Sequence, residues 1–173
     1  MGGAMRLRDL EPRDAEAMLA WMHDPGVVAK MQANFKEKTL ADCRAFIAAS
    51  REGGNLHLAI ADDADAYMGT VSLKRIGGGA AEFAIVVGRA AMGTGCAIWA
   101  MREILKLGFA RLGLERVYWC VAPDNARALR FYDKNGFPRV DLATLPPPPG
   151  YPAAQAKAYV WYQVRPGTAD GVR

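Results

Sequence analysis

The chain has 173 residues, of which 51% are hydrophobic and 23% are charged, with a formal net charge of +4. This length suits one domain whose core is large enough to fold without disulfides. No run of about 18 apolar residues predicts a membrane span, and no secretory signal is visible, so we expect a cytoplasmic protein without a membrane partner. The basic residues are scattered rather than interleaved with aromatic ones, which argues against nucleic-acid binding.

The cysteines and histidines do not predict a metal site. Cys43, Cys96 and Cys120 are odd in number, and His23 and His57 are isolated from them and from each other. Neither set has the spacing of zinc ligands. We therefore expect reduced thiols and no bound metal.

The first half of the chain predicts two helices between a first strand and a hairpin. Pro12 and Asp14 suit the start of a helix, and Thr39 with Asp42 resembles a capping box. The expected elements are a strand at 5–10, a helix at 12–22, a break at 23–26, a helix from 39, a strand at 56–60 and its hairpin partner at 67–76.

The second half alternates strands with helices. The expected elements are a strand at 82–87, a helix starting near Gly95, a strand at 116–121, a helix at 124–134, and closing strands at 137–142 and 158–164, with a stiff proline loop at 146–150. This order predicts one α/β (α+β) domain with a mixed sheet. We expect it to span residues 5–166, with flexible ends at 1–4 and 167–173.

A small-residue turn leads from the strand ending at Val87 into the next helix. Glycines let the backbone approach an anion, and the free N–H groups of a helix start stabilise its charge. The turn lacks the lysine of a P-loop and the third glycine of a dinucleotide fingerprint, so a purely structural turn remains an alternative. The residues whose backbone would bind a pyrophosphate are Met92, Gly93, Thr94, Gly95, Cys96 and Ala97.

A second motif runs from Asn125 to Phe137. Ala128 and Tyr132 share one face of the predicted helix, which Gly136 ends. Taken alone, this pattern is typical of a packed tyrosine whose hydroxyl lies at a cleft.

Together the two motifs resemble the acetyl-CoA core of the GNAT superfamily of N-acetyltransferases. The likeness extends over nearly the whole chain and is similar to the branch with ribosomal-protein alanine, spermidine and nucleotide-amino-sugar acetyltransferases. It implies a single GNAT-type domain with a mixed, mostly antiparallel central sheet flanked by helices. It also implies acetyl transfer from acetyl-CoA to a primary amine, which could be a small amine, an amino sugar or a peptide N-terminus. A homodimer remains open.

The resemblance implies direct attack of the amine on the thioester, and it assigns roles to individual residues. Tyr132 would donate a proton to the coenzyme A sulfur, and the backbone N–H of Val86 or Val87, next to Ile85, would bind the thioester oxygen. Asn125 would contact the pantetheine arm. Arg130 would approach the phosphates, or else be an ordinary solvated charge.

Glu82 is the expected general base, acting directly or through water. The alternatives for this residue are substrate orientation or a sheet-edge ion pair. The acceptor side would be covered by an apolar wall of Trp21, Met22, Met31 and Phe35, although core packing explains Trp21 and Met22 equally well.

The sequence departs from the family at the turn. Ala90 stands where relatives carry Gln or Arg, and Arg89 lies one place early. This departure leaves open a different class of function, a non-catalytic acetyl-CoA-binding sensor or assembly module. The presence of both Tyr132 and Glu82 favours an enzyme.

Overall fold

The computed structural model describes residues 3–31, 34–142 and 151–167. Within these ranges seven strands form one sheet, and helices pack on both of its faces. The strands are β1 (Arg6–Asp9), β2 (Leu56–Ala61), β3 (Tyr67–Gly77), β4 (Ala80–Val87), β5 (Arg116–Val121), β6 (Arg139–Val140) and β7 (Val160–Val164). The helices are α1 (Ala15–Met22), α2 (Pro25–Val28), α3 (Leu40–Ala48), α4 (Cys96–Ala110), α5 (Ala126–Lys134) and α6 (Ala153–Ala158).

The sheet has the order β1-β2-β3-β4-β5-β7-β6. Strands β4 and β5 run parallel, while the other neighbours in the described sheet are antiparallel. This arrangement confirms the predicted mixed, mostly antiparallel sheet of a single α/β domain. The β4–β5 pairing ends at Glu82 opposite Tyr118, although β4 continues to Val87. A gap therefore opens in the middle of the sheet.

Two apolar clusters cover the two faces of the sheet. On one face, α4 buries Met101 and Ile104 completely against the sheet. On the other, α1 and α3 bury Met18 and Cys43 against Ala59 of β2. Burial of this apolar surface is the main force that holds the helices in place. Helices consequently enclose the gap between β4 and β5 from both sides.

The structure confirms most of the elements expected from the sequence, including the capping box at α3, where Asp42 N–H donates to the Thr39 hydroxyl at 3.2 Å. Three details differ. The expected break at 23–26 contains the short helix α2, because the Asp24 side chain caps it and proline suits its first position. Helix α6 was not expected, and the strand expected at 137–142 is reduced to the two residues of β6.

Some expectations fall on residues outside the described ranges. These are the proline loop at 146–150 and most of the two flexible ends, 1–2 and 168–173. In the described part of the chain, none of the helices has both the length and the apolar character needed to cross a bilayer. Among the same residues, no group of three or more His, Cys, Asp or Glu is placed to hold a metal ion.

Candidate active site

The turn between β4 and α4 exposes backbone N–H groups at the start of a helix. Gly93 and Gly95 have φ angles of 75° and 84°, in the left-handed region that favours glycine. The first intrahelical bond runs from Trp99 N–H to the Gly95 carbonyl at 3.1 Å. The N–H groups of Ala97 and Ile98 therefore have no acceptor within the helix and are available to a ligand.

A cavity of about 450 Å³ lies directly beside this turn. Met92, Gly93, Gly95 and Ala97 line it, and a Cβ added to either glycine would meet no heavy atom within 4 Å. The backbone here is thus open to close approach. Free N–H groups together with the positive end of a helix dipole fit the diphosphate of coenzyme A.

Two of the expected binding residues, Thr94 and Cys96, do not line the cavity. The Thr94 hydroxyl donates to the Ala91 carbonyl at 2.5 Å and accepts from the Cys96 N–H at 3.4 Å. The Cys96 side chain is completely buried in the core. Neither side chain lines the cavity.

The basic residue that the sequence suggested, Arg130, is not among the basic residues that line this cavity. Arg130 is exposed and does not line the cavity, whereas Arg127 and Lys134 do. Arg127 and Lys134 are seven residues apart, so two helical turns place them on one face of α5. Both lie at helical spacing from Phe131, which also lines the cavity, four residues after Arg127 and three before Lys134.

The end of β4 supplies N–H groups that face the gap. Gly88 N–H donates to the Met68 carbonyl at 2.9 Å, toward β3. Because the direction of backbone groups alternates along a strand, Val86 N–H also faces β3, while Ile85 and Val87 direct theirs toward the gap. Ile85, Val86 and Val87 all line the cavity beside the turn.

Tyr132 lies where this cavity meets a second one. Its ring is held by aromatic neighbours, with centroids 5.2 Å from Trp119, 5.2 Å from Tyr162 and 6.2 Å from Phe137. Burial raises the pKa of its phenol, which stays neutral and able to donate. Within the described ranges no residue hydrogen-bonds its hydroxyl, so that donor is available to a substrate.

Asn125 lines both cavities and also caps α5. Its Oδ1 accepts a hydrogen bond from Ala128 N–H at 3.2 Å. The cap fixes the side chain at the junction. The amide NH₂ group remains as its donor toward a ligand.

The second cavity, of about 580 Å³, opens on the α1–α3 side of the gap; we call it the acceptor cavity. The four residues of the expected apolar wall, Trp21, Met22, Met31 and Phe35, all line it. The residues that it shares with the first cavity are Lys30, Met31, Ile85, Val86, Asn125, Ala128 and Tyr132. Two ligands could therefore meet at this common wall, one from each face of the sheet.

Glu82 lines the acceptor cavity and is only 4% exposed. Its carboxylate pairs with Arg75 and, at 3.5 Å, with the Lys74 ammonium. It also accepts a hydrogen bond from the Tyr151 hydroxyl at 2.7 Å. The ion pair that was considered as an alternative for Glu82 is thus present, inside the wall of the acceptor cavity.

His57 is a neutral polar group of the same wall. Its Nδ1 lies 2.6 Å from the Ser72 hydroxyl, and its ring packs 4.5 Å from that of Phe46. Burial, with a smaller contribution from the charge of Lys74, lowers the pKa of this imidazole to about 4. No sequence signal distinguished His57 from an ordinary hairpin residue.

Arg89, the basic residue one place before Ala90, does not line either cavity. Its Nε donates to the Asp24 carboxylate at 2.9 Å. This hydrogen bond lowers the pKa of Asp24 and joins the turn to α2, whose Gly26 and Val27 line the cavity beside the turn. Arg89 therefore stabilises the cavity wall through Asp24 and is not placed to bind a phosphate in the cavity.

Comparison with known proteins agrees with this geometry. The family model described as an acetyltransferase (GNAT) domain matches residues 4–138. The chain belongs to the GNAT acetyltransferase family. The matched region contains the turn, the gap and Tyr132, and it confirms the predicted N-acetyltransferase class with acetyl-CoA as the acetyl donor.

Solved structures share the fold of this GNAT domain. Spermidine N-acetyltransferase from Vibrio cholerae, in complex with CoA and spermine, has 18% identity and a TM-score of 0.77, covering 95% of this chain and 97% of that chain. A GNAT-family acetyltransferase from Bacillus anthracis has 19% identity and a TM-score of 0.72, covering 95% and 96%. The Vibrio cholerae enzyme also has a dodecameric structure, with 20% identity, a TM-score of 0.69 and 93% of each chain covered. A comparison with curated proteins finds no match.

Proposed function

We propose that this GNAT enzyme acetylates a primary amine by direct attack of the amine on the thioester of acetyl-CoA. The observation that carries the proposal is the common wall of the two cavities, where Tyr132, Ile85 and Val86 face both. Coenzyme A would lie on the α4–α5 side and the amine on the α1–α3 side. The new C–N bond then forms, and the C–S bond breaks, across the gap in the sheet.

The turn would hold the donor by its diphosphate. The N–H groups of Ala97 and Ile98 would donate to phosphate oxygens, supported by the charges of Arg127 and Lys134. Acetyl-CoA supplies an activated acetyl group and a thiolate leaving group. The residues of this chain orient that group at the gap.

The N–H groups of Ile85 and Val87 would stabilise the negative charge that develops on the thioester oxygen. They belong to a strand that has already lost its β5 partner, so they need no rearrangement to donate. A donor of this kind contributes about 3–4 kcal/mol to transition-state stabilisation.

Tyr132 would donate a hydrogen bond to the departing sulfur. A free thiol has a pKa of about 8.5, so full transfer of a proton from a phenol with a raised pKa would be unfavourable. Tyr132 would therefore stabilise the thiolate by hydrogen bonding, and the proton lost by the amine would finally reach the sulfur.

Glu82 would accept the proton of the attacking amine through water. An alkylamine has a pKa of about 10.4, so little of it is a free nucleophile at neutral pH. Glu82 precedes Ile85 by three residues on β4, about 10 Å of strand, which is too far for direct transfer. Water in the acceptor cavity would bridge that distance.

The acceptor class extends over small amines, amino sugars and peptide N-termini. The fold relatives include an enzyme solved with spermine and as a dodecamer, so a polyamine and an oligomer larger than the expected homodimer join the candidates to be tested. Light scattering on the purified protein measures the oligomer directly.

Two measurements test the proposal. Acetyl-CoA should raise the melting temperature, and amines should then cause release of free thiol, with acetylated product identified by mass spectrometry. A melting shift without thiol release across polyamines, amino sugars, aminoglycosides and peptide N-termini would instead support the non-catalytic sensor.

A further inference from the structure

The wall of the acceptor cavity has a surplus of positive charge. Its charged side chains and their direct ion-pair partners comprise four cations and three carboxylates, namely Lys30, Lys38, Lys74, Arg75, Asp42, Glu82 and Asp124. The pair between Lys30 and Asp124, at 3.1 Å, balances itself. The remaining charges are three cations and two carboxylates, which leave one positive charge in excess.

Asp42, one of the two described acids that line the cavity, is already used by the protein. Its carboxylate accepts from the Thr39 N–H at 2.8 Å and from the Thr39 hydroxyl at 3.0 Å. These bonds form the capping box that starts α3, and they lower the pKa of Asp42. Binding a substrate cation here would compete with the helix cap.

Glu82, the other acid, forms ion pairs with two cations. Arg75 and Lys74 both pair with it, and Tyr151 donates to it. The internal stretches outside the described ranges, 32–33 and 143–150, contain no Asp or Glu in the sequence. A polycationic acceptor would therefore meet no unengaged carboxylate along this wall.

The backbone of β3 is specifically shaped to bring the two cations together. Consecutive side chains of a regular strand point to opposite faces, yet Lys74 and Arg75 both reach Glu82. The register shifts between Lys74 and Gly77, and Arg75 has a left-handed φ of 54°. This conformation is uncommon for a large side chain and is typical of functional sites.

Lys38 adds a further cation. It lines the cavity, and among the described residues no carboxylate lies within ion-pairing distance of its ammonium. Since the charge of Asp42 offsets that of Lys38, the net surplus is the one positive charge of the Lys74–Arg75–Glu82 group, to which Lys38 adds an ammonium donor. Both are suited to an anion.

We infer that the acceptor carries an acid group, a carboxylate or a phosphate, at the opposite end of an apolar body from its primary amine. This inference rests on the proposed amine acetylation and names its substrate class. The amine lies at the common wall beside Tyr132, and the acid group binds Lys74, about 10 Å back along β4. Arg75 does not line the cavity and acts by neutralising Glu82. Rings such as those of Phe46 and Phe83 line the space between them.

Three amines of the same shape test the charge at the far end. They are 4-(aminomethyl)benzoate, 4-(aminomethyl)benzamide and 1,4-bis(aminomethyl)benzene, which place an anion, a neutral amide and a cation opposite the same amine. We expect kcat/KM for the benzoate to exceed that for the benzamide at least about tenfold, and the diamine to be the poorest. Spermidine is measured beside them.

Substitution of one cation locates the effect. Lys74→Gln should reduce the ratio of kcat/KM between benzoate and benzamide to near one, since Lys74 contacts the acid group. Lys106→Gln is the matched control, because Lys106 pairs with Glu103 on α4 and lines neither cavity. That variant should keep the ratio of the parent enzyme.

Binding provides a readout without turnover. Calorimetry of each compound against enzyme saturated with coenzyme A should give the same order of affinity. Equal use of the three amines, or preference for the diamine or spermidine, overturns the inference and leaves amine acetylation intact. Absence of thiol release with every amine tested overturns the proposed function, and the inference with it.

Discussion

Tyr132 combines two properties that usually exclude each other, deep burial and an available hydroxyl. Four aromatic neighbours fix its ring, while its hydroxyl stays at the wall between the cavities. Because burial also raises the pKa of the phenol, it remains a neutral donor near neutral pH. The donor that the proposed mechanism needs is therefore in place before any substrate binds.

Removal of this hydroxyl should slow chemistry without loss of donor binding. We expect Tyr132→Phe to keep its melting shift with acetyl-CoA and to lower kcat at least about tenfold, as is usual when a donor to the leaving group is lost. Tyr159→Phe is the control, since its hydroxyl accepts from Gln155 and lines neither cavity. Equal kcat in the two variants would remove Tyr132 from the mechanism.

Glu82 is tested by the pH dependence of the rate. Without a base, the rate should follow the fraction of neutral amine, which rises about tenfold per pH unit below the amine pKa of about 10.4. Glu82→Gln should therefore show a steeper rise of log kcat/KM between pH 7 and 9 than the parent enzyme. Glu103→Gln, on the outer side of α4, should leave the profile unchanged.

A profile of Glu82→Gln that runs parallel to that of the parent enzyme would contradict the base role. The carboxylate would then serve to position Lys74 and Arg75, as its ion pairs suggest. In that case the variant should change the selectivity between anionic and neutral acceptors, since it frees both cations.

Strand β4 depends on a close approach from its neighbour β3. A Cβ on Gly69 would lie 2.4 Å from the Val86 carbonyl oxygen and 2.9 Å from Val87 Cα, shorter than real contacts of that kind. Only glycine therefore lets β3 support β4 at the place where β4 leaves β5. The position of the Ile85 and Val87 N–H groups follows from this contact.

Gly69→Ala should push β4 away and disturb both stability and catalysis. We expect a loss of about 1–3 kcal/mol in the free energy of unfolding, the usual cost of overpacking, together with a lower kcat. Gly77→Ala, in the same strand, is the control because its Cβ would meet nothing within 4 Å. Similar melting temperatures and rates for the two variants would contradict this role of Gly69.

The comparison of sequence and structure is most informative at the level of single elements. Apolar and β-branched runs predicted the strands around the gap, because β4 and β5 are buried or half-buried at every residue. Helix α6 escaped notice although Ala153–Ala158 contains good helix formers, because it is short and follows a proline-rich stretch. Chain-local patterns do not report which short segments tertiary packing will stabilise.

The candidate site, too, was predicted only in part from the sequence. The resemblance selected Tyr132, and the structure places its side chain at the meeting point of the cavities. Arg127 was overlooked in favour of Arg130, since the sequence does not say which side of α5 faces the coenzyme. The contact between Arg75 and Glu82 could not be foreseen, because it requires the irregular backbone of β3.

The molecule as a whole encloses its sheet between two apolar clusters, with polar groups retained where the cavities run. His57 is a titratable group whose pKa this enclosure lowers within the acid range. Its pKa of about 4 in the folded state lies below its ordinary value of 6.5, because burial disfavours the charged ring. Between these two pH values the unfolded chain binds more protons than the folded one, so stability falls as pH falls.

This difference predicts an acid sensitivity that one substitution should reduce. Between pH 7.5 and pH 5 the parent protein should lose about 2 kcal/mol through His57, or about 4–8 °C in melting temperature. His57→Gln, which can still hydrogen-bond Ser72, should lose correspondingly less over the same interval. Identical pH dependence in both proteins would show that the imidazole is not held neutral by burial.

The separation of β4 from β5 beyond Glu82 has a consequence for inhibition. In the proposed mechanism each reactant enters its own cavity, one on each side of the sheet, and neither needs to leave before the other enters. A single molecule in which a short acyl bridge joins coenzyme A to an amine that carries an acid group would fill both cavities at once. Such a conjugate should compete with acetyl-CoA and with the amine. The bridge length that binds best would report the width of the gap between β4 and β5.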